Sequence, residues 1–183
     1  RKGMYGVRNT GVEVWRGGVN AWQCDQMGHL NVRFYIAHAM EGLAALAAEL
    51  GMAGAFAPRG SSTLMVREHH VRFLKEARVG DPLHLMAGVA EIGGDGALVR
   101  QLLVHSETAS PAAAFHSLVT HATSAEGRPF PWPASALQRA ESLGLDLGEG
   151  LGPRGFRPGD SAGAGRMAAA ERLGLMRYGA GVF

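Results

Sequence analysis

His29–Leu50 reads HLNVRFYIAHAMEGLAALAAEL, and the fold turns on this stretch. Val32, Ile36, Ala39, Leu43, Leu46 and Leu50 recur at spacings of three and four, which places them on one face of a helix. Ala44-Ala45 and Ala47-Ala48 favour helix and permit close packing. Gly51 follows the last apolar residue and suits a C-cap. Because the stretch carries few charges, a helix over about His29–Leu50 should be wrapped on several sides.

Upstream, Gly11–Val19 reads as a strand with Val12 and Val14 on one face, and the chain breaks at Gly28. Downstream of a Gly/Ala/Pro/Ser loop at Gly51–Ser62 the period shifts towards two. Strands are expected near Thr63–Lys75, Pro82–Ile92, Ala97–Glu107 and Ala112–Thr123. Between them stand Val79-Gly80-Asp81-Pro82, Gly93-Gly94-Asp95-Gly96 and Ala109-Ser110-Pro111, all turn chemistry. Short connections make successive strands antiparallel neighbours. One strand, one long helix and a four-strand meander give an α+β layout, a curved antiparallel sheet around a helix.

This unit is expected over residues 8–126. Arg128-Pro129-Phe130-Pro131-Trp132-Pro133 then forbids a regular helix or central strand, because alternate prolines lack backbone donors. Residues 127–183 read as a Pro/Gly-rich extension outside the first sheet. Short helices are expected at Ala134–Leu143 and Arg166–Leu173, a linker at Leu145–Gly165 and a strand at Met176–Phe183. Trp15-Arg16-Gly17-Gly18-Val19 and Tyr178-Gly179-Ala180-Gly181-Val182 are faintly alike, which leaves open the start of a second copy of the domain.

Hydrophobic residues make up 46% of the 183 and charged residues 19%, a globular composition rather than a disordered one. The formal charge of +2 is too small for a nucleic-acid-wrapping surface. No apolar run approaches the roughly 18 residues of a membrane span, and no apolar stretch follows Arg1–Met4 as in a secretory signal. The single cysteine, Cys24, excludes an internal disulfide framework and fits a reducing, cytoplasmic setting.

The chemistry points to Asp25-Gln26-Met27-Gly28-His29-Leu30-Asn31-Val32-Arg33-Phe34-Tyr35. Free N–H groups at a helix N-terminus, with a partial positive charge behind them, suit a carbonyl oxygen that turns negative during acyl transfer. Gly28 lets backbone or ligand approach closely, and His29 and Asn31 add polar groups. An Asp there either caps the helix or supplies a reactive carboxylate.

Asp-x-x-Gly-His-x-Asn, with Tyr35 ten residues after Asp25, resembles the hotdog-fold acyl-CoA thioesterases of the 4-hydroxybenzoyl-CoA thioesterase type. The resemblance covers roughly Gly11–Thr123; a second Asn common in relatives is Val32 here. It implies hydrolysis of an acyl-CoA thioester, homodimers or homotetramers, and an active site at the subunit interface. Asp25 then takes the catalytic carboxylate's place, as nucleophile or as general base for water, with Gly28, His29 and Asn31 around it.

Arg67-Glu68-His69-His70-Val71-Arg72-Phe73-Leu74-Lys75 is the second candidate segment. In a strand Glu68, His70 and Arg72 share one face, and Arg67, His69, Val71 and Phe73 the other. Glu68 offers a second carboxylate, and Arg67, Arg72 and Lys75 are cations for CoA phosphates. Tyr35, Phe34, Trp22 and Met27 could line an acyl pocket or simply pack the core. His69 and His70 point to opposite faces and cannot share one ion. His105, His116 and His121 could meet on neighbouring strands but lack a Cys or carboxylate at ligand spacing, so no metal or other cofactor is expected. There is no Gly-x-Ser-x-Gly elbow and no Walker loop. The competing functions are a hotdog hydratase or dehydratase, disfavoured by the Asp–His spacing without an intervening Pro, and a non-enzymatic acyl-CoA-binding module.

Overall fold

Asn31 sets where the long helix begins. In the computed structural model, which describes residues 11–152 apart from positions 95 and 149, the Asn31 backbone is extended and its side chain accepts the N–H of Arg33 at 3.1 Å. Helix α1 therefore spans Val32–Glu49, three residues later than periodicity alone suggests, because an N-cap needs non-helical backbone. At the other end Met52 N–H donates to Ala47 O and Gly51 N–H to Ala48 O. This is the paired closure of a Schellman motif, with Gly51 in the position that favours glycine.

Strands β1 (Val12–Gly18), β2 (Ser62–Phe73), β3 (Pro82–Gly93), β4 (Gly96–His105) and β5 (Pro111–Thr123) form one antiparallel sheet in the order β1-β3-β4-β5-β2. The β1–α1–β2 excursion thus carries the chain from one edge to the other, with α1 crossing one face. Each strand pairing has a register shift, at Glu13/Trp15, Val66/Glu68, Val89/Glu91 and Leu103/Val104. Such bulges bend strands and raise twist, which is how a sheet curls round a helix.

The helix lies close on that face. At Gly42 an added Cβ would sit 2.4 Å from Leu85 Cδ2 and 2.8 Å from Val14 Cγ2, so any larger residue at the crossing requires those side chains to move. Met40, Leu43, Leu46, Ala47 and Leu50 meet Val66, Val89, Val99 and Val119 in one buried cluster. The opposite face is half apolar: Ala114, Met86 and Leu102 lie under Leu145 and Leu147.

Residues after Glu126 pack back on this body. Phe130 N–H donates to His121 O, and Trp132, Ala136 and Ala140 enter the main core. Helix α2 is Ala134–Ala140, and Arg139 donates to Glu49 O at 3.2 Å at the C-terminal end of α1. Leu145, Leu147 and Leu151 then lie over the far face of the sheet. The expected elements at Arg166–Leu173 and Met176–Phe183, and with them the second-copy reading, lie outside the described residues.

Candidate active site

Asp25 closes a small loop on itself. Its Oδ1 accepts the N–H groups of Met27 (2.9 Å) and His29 (3.0 Å). Its backbone N–H donates to His29 O, and its carbonyl accepts from Gly28 N–H. Gly28 takes φ +78°, a left-handed turn that glycine adopts without strain. The loop is also tied sideways: Leu30 N–H donates to Ala77 O, and Val79 N–H to Gly28 O.

These bonds decide which donors remain. The N–H of Gly28 goes to Asp25 O, that of His29 to Asp25 Oδ1, that of Leu30 to Ala77 O and that of Asn31 to Gln23 O. Arg33 is capped by the Asn31 side chain and Phe34 by the Asn31 carbonyl. Among the described residues from Met27 to Phe34, the N–H of Val32 at the helix start is the one left without an acceptor. The same count leaves Oδ2 as the carboxylate oxygen of Asp25 without a hydrogen-bond partner. The backbone N–H of His29, then that of Met27, holds the Asp25 carboxyl below its ordinary value, so it is ionised at neutral pH.

Around this pair the surface is apolar. Trp22 is 69% exposed, Met27 77% and Val32 57%, large hydrophobic groups within seven residues of Asp25. Phe34 packs edge-on to Trp22 (5.3 Å between centroids), and the Arg33 guanidinium lies 4.5 Å over the Phe34 ring.

The other sequence candidates have definite places. Asn31 acts as the cap just described. Tyr35 is buried; its hydroxyl accepts the N–H of Ala77 at 3.1 Å, its ring meets Phe73 edge-on, and burial raises its pKa. His29 Nε2 lies 3.3 Å from Glu76 Oε2. Lys75, in the segment leading to Ala77, bonds Ser110 Oγ at 3.1 Å. Arg67 is left out of the β2–β5 register and donates to Gly127 O at 3.1 Å.

The bulge at Arg67 reverses parity along β2. Leu64 and Val66 face α1 before it; His69, which meets Met40 Sδ and Ser117 Oγ, Val71 and Phe73 face α1 after it. Glu68, His70 and Arg72 therefore lie on the far face, where Arg72 donates to the carbonyls of Gly150 and Gly152 and His70 faces His116. The structure does not bring Glu68 or Arg72 to Asp25.

His105 pairs with Asp81, while His121 bonds Ser62 and the Pro131 carbonyl. No group of three or more His, Cys, Asp or Glu among the described residues is placed to hold a metal ion. Sequence reasoning missed Glu76 and Arg78. They carry no periodic or motif signal, and only the pairing of 77–79 with 28–30 brings them to the loop.

A long helix wrapped by a five-stranded antiparallel sheet is the hotdog fold, and the fold is shared with solved structures of thioesterases. The model of the thioesterase-like superfamily matches residues 19–140, and the chain belongs to that superfamily of thioester hydrolases. No curated protein sequence matches it. The fold is similar to a hypothetical protein from Staphylococcus aureus in complex with CoA, with TM-score 0.69 and 14% identity over 81% of this chain and 98% of that one. It is also similar to a 1,4-dihydroxy-2-naphthoyl-CoA thioesterase from Synechocystis, with TM-score 0.62 and 14% identity over 70% and 95%. A thioesterase complexed with coenzyme A and zinc from Thermus thermophilus has TM-score 0.58 and 18% identity over 70% and 92%. At these identities the likeness carries the fold.

Proposed function

We propose that the protein hydrolyses an acyl-CoA thioester to a free acid and CoA, with Asp25 as the reacting carboxylate and the Val32 N–H as the donor to the thioester oxygen. The observation that carries this reading is the pairing of vacancies: one carboxylate oxygen and one helix N-terminal N–H stay uncommitted, while the other backbone donors from Met27 to Phe34 are spent. Oδ2 either adds to the carbonyl carbon or takes a proton from the attacking water. In both routes charge collects on the carbonyl oxygen, where a fixed N–H at a helix start stabilises it. A thiolate leaves readily, so no strong acid is needed at the sulfur.

The exposed Trp22, Met27 and Val32 are read as one wall of the acyl pocket, closed by a second copy of the chain. β2 is an outer strand of the sheet and offers its open edge to that copy. A homodimer is the reading, with the far face of each sheet already lined by Leu145, Leu147 and Leu151. CoA phosphates are assigned to Lys75, on the segment that borders the Asp25 loop, and to Arg67 on the open edge. A cytoplasmic setting accords with free Cys24.

Thiol release from a panel of acetyl-, octanoyl- and benzoyl-CoA tests the reading. Turnover of at least one ester, lost in Asp25→Asn, supports it; tight CoA-ester binding without thiol release supports a binding module instead.

A further inference from the structure

Beside the Asp25 loop stands a carboxylate that the hydrolysis as described leaves unused. Glu76 Oε2 lies 3.3 Å from His29 Nε2 and 3.6 Å from Arg78 Nη2. The segment that carries it is fixed on both sides of Ala77, a fully buried residue. The Ala77 N–H donates to the buried Tyr35 hydroxyl, and its carbonyl accepts from Leu30 N–H at 2.8 Å. His29 and Arg78 also form an antiparallel bridge. This backbone pairing places the Glu76 residue beside His29, with its carboxylate 63% exposed.

The pairing has a chemical consequence. A carboxylate accepts but cannot donate, so Glu76 draws the proton of a neutral His29 to Nε2 and leaves Nδ1 with a lone pair. Among the described residues Nδ1 has no hydrogen-bond partner. The His29 side chain is 18% exposed, and its charge, when present, acts on the Asp25 carboxyl. An imidazole with a carboxylate 3.3 Å from one nitrogen and the other nitrogen free is arranged as a proton acceptor.

We propose that Glu76 is a positioning residue that makes His29 the base for the hydrolytic water, which leaves Asp25 free to act as the nucleophile. This rests on the thioesterase reading above. In the first step Asp25 Oδ2 bonds the acyl carbon, the C–S bond breaks, and CoA leaves as thiolate. In the second, water bonds the acyl carbon of the mixed anhydride and the bond to Oδ2 breaks, restoring the Asp25 carboxylate. The water proton passes to His29 Nδ1 and then to solvent or the thiolate. No oxidant, reductant or further reactant is consumed.

The test is steady-state thiol release on the best turned-over ester of the acetyl-, octanoyl- and benzoyl-CoA panel, with the thermal midpoint of each variant as folding control. Glu76→Ala should lower kcat about tenfold, less than the ~10²–10⁴ of a direct acid–base group because it acts through His29, with KM little changed. Glu76→Gln, which keeps an acceptor but no charge, should fall between the two. In a His29→Ala background Glu76→Ala should cost nothing further. An equal loss in the presence and absence of His29, or unchanged kcat in both Glu76 variants, overturns the proposal. Wild-type turnover by Asp25→Asn overturns the thioesterase reading itself, and this inference with it.

Discussion

Asp25 and the His29 peptide are joined twice: the carboxylate Oδ1 accepts the His29 N–H at 3.0 Å, and the His29 carbonyl accepts the Asp25 backbone N–H at 2.9 Å. One oxygen of the side chain is used to shape the loop, and the other has no hydrogen-bond partner among the described residues. Capping and catalysis, which the sequence poses as alternatives for Asp25, are compatible because the carboxylate has two oxygens.

Val32 supplies a direct test of the helix N-terminal donor. It is the first residue of α1 and its side chain is exposed. Proline is favoured at that position, since its missing N–H has no intrahelical partner. The preceding Asn31 is already extended, as a residue before proline prefers. Val32→Pro should keep the thermal midpoint and lower kcat by ~10²–10³, the usual cost of removing an oxyanion donor. Full activity in a folded Val32→Pro would assign the oxygen to another donor.

The crossing of α1 over the sheet depends on Gly42. A methyl there meets Leu85, Val14 and the Gln101 amide, whose Nε2 would be 2.9 Å away. That amide donates to Ala39 O at 2.8 Å, so it is not free to yield. Gly42→Ala should destabilise the fold by about 1–3 kcal/mol despite the better helix propensity of alanine, read as a lower midpoint in urea. A rise in stability would show that α1 can shift outward without loss.

Much of this was legible beforehand, and the misses have physical causes. The helix and the strand–turn rhythm follow from periods of 3.6 and 2 along continuous sequence. Strand order does not, because β1 and β2 become opposite edges through contacts between distant segments. At Arg67 a bulge inserts one residue and reverses every side chain after Val66, so a strict alternation set Arg67 beside His69, Val71 and Phe73. Glu76 acquires its neighbour only through the Ala77–Leu30 pairing, which no local pattern encodes.

The cations separate by their surroundings. Lys75 stands two residues before Ala77, which pairs with the Asp25 loop, and bonds Ser110 Oγ, whereas Arg72 is turned to the far face and spent on the Gly150 and Gly152 carbonyls. Lys75→Gln should raise KM for the CoA ester and weaken its salt dependence. Arg72→Gln should leave KM unchanged and lower the thermal midpoint. The opposite pattern would move the phosphate site to the far face.

His116 makes the fold acid-sensitive. Burial, then the charges of Arg100, His70 and Arg72, press its pKa down to about 4. In the unfolded chain it returns to about 6.5, so between these values the unfolded state binds the extra proton. Stability from this group is therefore complete above about pH 6.5 and is lost as pH falls towards 4. His116→Gln should flatten that part of the stability profile, measured as urea midpoint against pH. An unchanged slope would place the acid sensitivity in other groups.

The most direct measurement is the single-site comparison of kcat for thiol release by wild type and Asp25→Asn on the best acyl-CoA ester. Asparagine keeps an oxygen for the Met27 and His29 N–H groups and removes only the charge, so the loop and the helix entry should survive, with an unchanged circular dichroism spectrum. In Asp25→Asn kcat should fall at least ~10²-fold. Wild-type kcat in a folded Asp25→Asn would contradict a reacting carboxylate and return Asp25 to the role of a loop cap.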